Sequence, residues 1–235
     1  MKVKTLDSKL IDLLEEKYGS LWWPTDMYPE GSLSDPFKHL IITILSQNTS
    51  EANCIRAYKG LAAKFEIKPE ALANAEEKEI RDSIRSGGLY NIKAKRIKEV
   101  SKAVLEKFNG DVGHILSLAK EEAKNKLMEL PGIGNKTADV LLTDSYSYRE
   151  VIPIDTHMDR IAKRLGLVKQ DAGYDETQKA LIDFIPEERR NRASGLLWLL
   201  AKHTCRALNP KCYECLLVHL CEYKRRKKDN NQKSQ

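Results

Sequence analysis

The feature that most limits what this chain can fold into is helical periodicity that recurs from end to end and is broken only by short turns. Strand signals are scarce. Asp35 followed by Pro36 supplies a helix start, with a carboxylate to cap the first amides and a proline where no amide partner is needed. Phe37, Leu40, Ile41, Ile44 and Leu45 then form one stripe of a 3.6-residue period. A second helix begins near Ser50 and lines up Cys54, Ala57, Tyr58, Leu61 and Phe65 before the Lys68-Pro69 break. Further helices are expected at 76–86, 91–108, 117–128, 135–145, 156–166, 174–184 and 190–204, with turns at Gly87-Gly88, Asn109-Gly110 and Pro131-Gly132. Such a count predicts an all-α bundle and excludes a sandwich or a doubly wound sheet. The stretch 146–153 lacks clear periodicity and reads as a crossing between two lobes.

A chain of 235 residues with 41% hydrophobic content can bury a real core. Its longest apolar runs, 40–45 and 196–201, fall far below the ~20 residues that span a bilayer, so no membrane span is expected. The N-terminal MKVKTLDSKL has no apolar run after its lysines, which predicts a cytoplasmic protein without a secretory signal. The net charge of +6 is concentrated in residues 224–235, which hold six basic residues and one acid and leave the rest at +1. A local tail, KRRKK at 224–228, rather than a diffuse field, is what would meet phosphates.

Residues 130–155 carry the chemistry. In LPGIGNK the glycines allow positive φ and close approach by a ligand, and the helix that follows offers unpaired amides, so the turn can hold a phosphate. With the preceding helix it forms a helix-hairpin-helix element, which grips a nucleic-acid backbone without reading sequence. Lys136 opens the second helix. A nucleophilic lysine must be partly neutral, yet a free one titrates near ~10.4. A helix N-terminus supplies only ~0.3–1 kcal/mol, whereas desolvation can shift a lysine by ~3–5 units, so Lys136 is expected in a cleft. Asp155 precedes a stripe of Met158, Ile161, Ala162 and Leu165 and reads as an N-cap whose fixed carboxylate can also stabilise a cationic sugar.

Four cysteines, Cys205, Cys212, Cys215 and Cys221, form C-x6-C-x2-C-x5-C. A disulfide framework is not expected in a cytoplasmic chain with one short cysteine-rich segment. Zinc and an iron-sulfur cluster both suit four thiolates, and the spacing alone leans to zinc. Cys54, on an apolar helix face, reads as core.

The combination of LPGIGNKTA, IDTH and the cysteine spacing resembles the endonuclease III branch of the helix-hairpin-helix DNA glycosylases, over nearly the whole chain. GLYNIKAKRI at 88–97, ILSQNTS at 44–50 and the CEY that closes the cysteine segment agree with it. The resemblance implies a two-lobed fold: a six-helix domain, here 33–148, and an iron-sulfur domain from 1–32 with 149–235. It implies a [4Fe-4S] cluster on the four cysteines, against the spacing's lean to zinc. It also makes Lys136 the nucleophile and Asp155 the assisting carboxylate, with Gly132, Ile133 and Gly134 on the DNA backbone. Gln47 would fill the hole left by an extruded nucleotide, and Leu89 would wedge into the duplex.

The implied function is base-excision repair by a monomeric bifunctional glycosylase and abasic-site lyase on oxidised pyrimidines in duplex DNA. Some residues depart from the family pattern: the lysine-to-aspartate spacer is one longer than in the bacterial enzyme, Asn135 stands where arginine is common, and Asp139 replaces an asparagine. ILSQNTS is also similar to a segment of alkylated-base glycosylases. A glycosylase for mismatched, deaminated or alkylated bases is therefore the rival enzyme, and a non-catalytic iron-sulfur DNA-binding protein the rival of another class.

Overall fold

A computed structural model describes residues 5–21, 28–146 and 151–225. The described residues are helical and contain no strand. The chain divides into two compact units, Trp23–Tyr148 and a discontinuous one of Met1–Trp22 with Arg149–Gln235. Each has its own apolar core.

The discontinuous unit opens with helix α1 (Ser8–Tyr18), started by Asp7, whose side chain accepts from the Leu10 amide at 2.9 Å. The continuous unit holds α2 (Pro36–Ser46), α3 (Glu51–Lys64), α4 (Pro69–Asn74), α5 (Glu77–Ser83), α6 (Tyr90–Phe108), α7 (Val112–Ser117), α8 (Lys120–Met128) and α9 (Asn135–Tyr146). The discontinuous unit resumes with α10 (Thr156–Leu165), α11 (Tyr174–Phe184) and α12 (Arg190–His203), followed by short turns through the cysteines.

α2 begins where Asp35 and Pro36 predict, with the Asp35 carboxylate accepting from the Lys38 amide at 2.8 Å. It is buried from His39 through Leu45, all round its axis, which makes it the central helix of its unit. α3, α6, α7 and α9 pack against it. The expected six-helix count is exceeded because α4 and α7 fold as six-residue helices of their own, one started by Pro69 and the other by Asp111. The continuous unit also starts earlier than the expected residue 33. Ser32 is fully buried, and Tyr28 and Leu33 pack on this unit's core.

In the discontinuous unit α1 lays Leu10, Ile11, Leu14 and Tyr18 into the second core. Tyr18 and Thr204 share a hydroxyl hydrogen bond of 2.7 Å, and the Leu6 amide donates to Phe184 O at 2.8 Å. α10 ends at Gly166, whose φ of +73° is left-handed and whose missing side chain leaves room for Glu222. No helix among the described residues is long and apolar enough to cross a membrane. The stretch 147–150 and the tail beyond Arg225, with most of KRRKK, lie outside the described residues.

Candidate active site

The hairpin joins α8 to α9 through Pro131–Gly134. Leu127 and Leu130 seat it in the core, and the Ile133 amide closes the turn onto Leu130 O at 3.1 Å. Ile133 is buried, so it anchors the turn by side chain and amide together. Gly132, at φ +72°, and Gly134 face solvent. A Cβ at Gly134 would meet nothing within 4 Å, so a ligand has free approach there. At Gly132 a Cβ would lie 2.6 Å from Arg96 Cζ, so only glycine admits that arginine.

Lys136 stands in the first turn of α9 and is exposed, with no hydrogen bond or ion pair to another described residue. Its helix is held from behind by Thr137, Ala138, Leu141 and Leu142, all buried. Asp139, also buried, pairs with Lys124 of α8 at 3.1 Å, tying the two arms of the hairpin.

Gln47 caps the C-terminus of α2 and is half-buried. Its Nε2 donates to Thr137 Oγ1 at 3.3 Å, and its Oε1 accepts from Arg96, so the carboxamide has a defined orientation one residue away from Lys136. Leu89 is 49% exposed and adopts φ +48°, ψ +29°. A bulky L-residue in that left-handed region is strained, and an exposed leucine there is not a core residue. Lys93, only 2% exposed, donates to Leu45 O at 2.7 Å and Gly87 O at 2.8 Å, anchoring the chain just before Gln47 and just before Leu89. Arg96 and Lys93 escaped the sequence reading because each is one of 40 basic residues, and only the packing singles them out.

In the other unit Asp155 caps α10. Its Oδ1 accepts from the amides of His157 at 2.8 Å and Met158 at 2.9 Å, and its Oδ2 accepts from the indole N–H of Trp198 at 2.9 Å. Trp198 is bracketed by Lys202, 4.5 Å above its ring, and by His157, whose ring centroid lies 5.8 Å away. His157 Nδ1 in turn meets Arg160 at 3.0 Å, and Arg160 donates to Ala201 O and Cys205 O.

Cys205, Cys212, Cys215 and Cys221 line one pocket with Arg164, Val218 and Tyr223. Among the described residues no three His, Cys, Asp or Glu side chains are grouped so as to hold a single metal ion. The donor set of this cavity is four thiols, which suits a thiolate-held metal or cluster. Arg164 donates to Cys205 Sγ at 3.3 Å and to the carbonyls of Cys205, Arg206 and Ala207, which fixes the loop that carries the first two cysteines. Burial pushes the Cys215 thiol up to about 11, with the neighbouring cysteines adding to the rise.

A family model described as the HhH-GPD superfamily base excision DNA repair protein matches residues 41–187. The chain is 36% identical to endonuclease III of Thermotoga maritima over 83% of its length and 86% of that protein's. To endonuclease III of Bacillus subtilis it is 31% identical, over 92% and 93% respectively. Among solved structures, a trapped endonuclease III–DNA covalent intermediate, an estranged-adenine complex, superposes with a TM-score of 0.76 at 28% identity, covering 94% of this chain and 96% of that one. The chain therefore belongs to the endonuclease III family, within the HhH-GPD superfamily of base excision DNA repair proteins.

Proposed function

We propose that this DNA glycosylase and abasic-site lyase of base-excision repair removes oxidised pyrimidines from duplex DNA, with Lys136 as nucleophile and Asp155 as its assisting carboxylate. The observation that carries the reading is the contrast between the two groups. Lys136 is exposed at the start of α9, two residues after Gly134, which is open to a ligand, whereas Asp155 has both oxygens fixed by three donors.

The base must leave the stack, because its glycosidic carbon is inaccessible within the duplex. Gly134 admits the phosphodiester backbone to the turn that the positive φ of Gly132 shapes, Leu89 enters the duplex, and Gln47 takes the vacated space. The duplex covers Lys136 and excludes water from it. Its amine attacks C1′ while the bond to the base breaks, and the departing base keeps the electron pair and takes up a proton. Asp155 stabilises the positive charge on the sugar and accepts the proton lost by the amine. Opening of the C1′–O4′ bond gives the Schiff base. Loss of the C2′ proton then expels the 3′-phosphate, and water releases Lys136.

Cys205, Cys212, Cys215 and Cys221 would hold a [4Fe-4S] cluster. When bound, it cross-links the last segment of the discontinuous unit and supplies structural rigidity. Arg164 keeps Cys205 in place for it.

Borohydride reduction in the presence of abasic-site duplex should yield a covalent protein–DNA adduct that Lys136→Gln abolishes. Undiminished trapping in that variant would sink the assignment. Base release from thymine glycol duplex, compared with uracil and alkylated duplexes, separates this substrate class from the rival one. The non-catalytic reading fails if any adduct forms.

A further inference from the structure

We propose that Arg96 is a phosphate ligand of the hairpin turn, a DNA-backbone contact made by a side chain from a different helix. The inference rests on the reading of the protein as an enzyme of duplex DNA. Arg96 belongs to α6, and its guanidinium occupies the space that a side chain at Gly132 would fill, with Cζ 2.6 Å and Cδ 2.7 Å from where a Cβ would stand. The positive φ of Gly132 and its lack of a side chain thus bring a permanent charge onto the turn itself.

That charge has no carboxylate partner among the described residues, and one N–H of Arg96 goes to Gln47 Oε1. A half-buried guanidinium left in this state is costly, because its remaining donors and its charge are only partly met by water. Another cation lies close by. Lys93, three residues earlier on α6, has its pKa lowered, first by burial and, after an opposing effect of Cys54, by the charge of Arg96. Lys136 follows Gly132 by four residues, exposed in the first turn of α9. A guanidinium on the turn, with no described carboxylate paired to it and a buried ammonium adding to the local positive charge, forms a place for an anion.

The planar fork of a guanidinium matches two oxygens of a phosphodiester, which a lysine does not. Because the same group holds the Gln47 carboxamide, capture of the backbone and placement of Gln47 are linked. Asn135, where arginine is common in the family, leaves the turn without a guanidinium of its own; Arg96 brings one from α6.

The test uses the full-length protein and a duplex with a tetrahydrofuran abasic analogue, with the dissociation constant measured over a series of KCl concentrations. Each phosphate neutralised contributes about −0.9 to the slope of log K against log salt. R96Q should show a slope shallower than wild type by about 0.9, whereas R96K should keep the wild-type slope with weaker affinity. A folded R96Q with the wild-type slope overturns the inference and leaves the DNA reading intact. Should R96Q lose its fold, R96M, which keeps the aliphatic stem without the charge, decides in the same way: a slope shallower by about 0.9 supports the inference and the wild-type slope overturns it. A wild-type protein that binds no duplex at low salt overturns the DNA reading and this inference with it.

Discussion

The indole N–H of Trp198 donates to Oδ2 of Asp155 at 2.9 Å, while the other carboxylate oxygen is taken by two amides of α10. Every acceptor direction that could let the carboxylate rotate is thereby constrained. Trp198→Phe keeps the packing and removes the donor. A hydrogen bond to a charged group contributes about 1.5–3 kcal/mol, so the trapping rate should fall roughly 10-fold or more, with DNA affinity little changed. Single-turnover rates and binding isotherms on the same duplex check the split.

Asp155→Asn behaves differently from a neutral swap. Asparagine caps a helix as well as aspartate does, but its NH₂ then faces the Trp198 N–H, donor against donor. Flipping the amide relieves that conflict and forfeits the cap. The variant should lose about 1–2 kcal/mol in denaturant unfolding, and adding Trp198→Phe should restore part of it. Additive losses in the double variant would refute the donor conflict.

Lys136→Gln removes an exposed side chain with no partner among the described residues, so its unfolding free energy should stay within about 0.5 kcal/mol of wild type while adduct formation vanishes. A large loss of stability would show that Lys136 has a structural partner.

Asp139 is buried and its partner Lys124 partly so, with side chains 1% and 14% exposed. Removing one partner strands the other, and Lys124→Met should cost about 3–5 kcal/mol. Lys124→Met with Asp139→Leu should recover much of this, measured as a double-mutant cycle.

Glu15 on α1 is held below the usual carboxylate range, first by its hydrogen bond to Arg192, against some desolvation. A depressed pKa stabilises the fold above the unfolded value of about 4.5, and the contribution is lost as pH falls through the lower folded pKa. The pair is well exposed, so the effect is at most about 1 kcal/mol. Glu15→Gln should lower the melting temperature at pH 7, and the gap to wild type should close on acidification below 4.5.

Much of this was legible where the signal is local. The Asp35-Pro36 start, the Asp155 cap and helix α11 at 174–184 are each written within a few consecutive residues, and all three stand where the pattern puts them. α4 and α7 were missed because six residues carry less than two turns of periodicity. Trp198 is 43 positions from Asp155, and nothing in its apolar surroundings marks it as a donor to a carboxylate. Arg96 lies 36 residues before Gly132, and its role follows only from what fills the glycine's empty side. Lys136 shows the same limit: a helix start sets a residue's place on the turn and says nothing of what covers it.

Lys93 binds the carbonyl of Leu45, two residues before Gln47, and that of Gly87, two before Leu89. One ammonium group is therefore a common pivot for the residue that would wedge a duplex and the residue that would replace what leaves it. The two act as the fixed jaws of a gauge, so the interval they probe is set inside the protein before any DNA arrives.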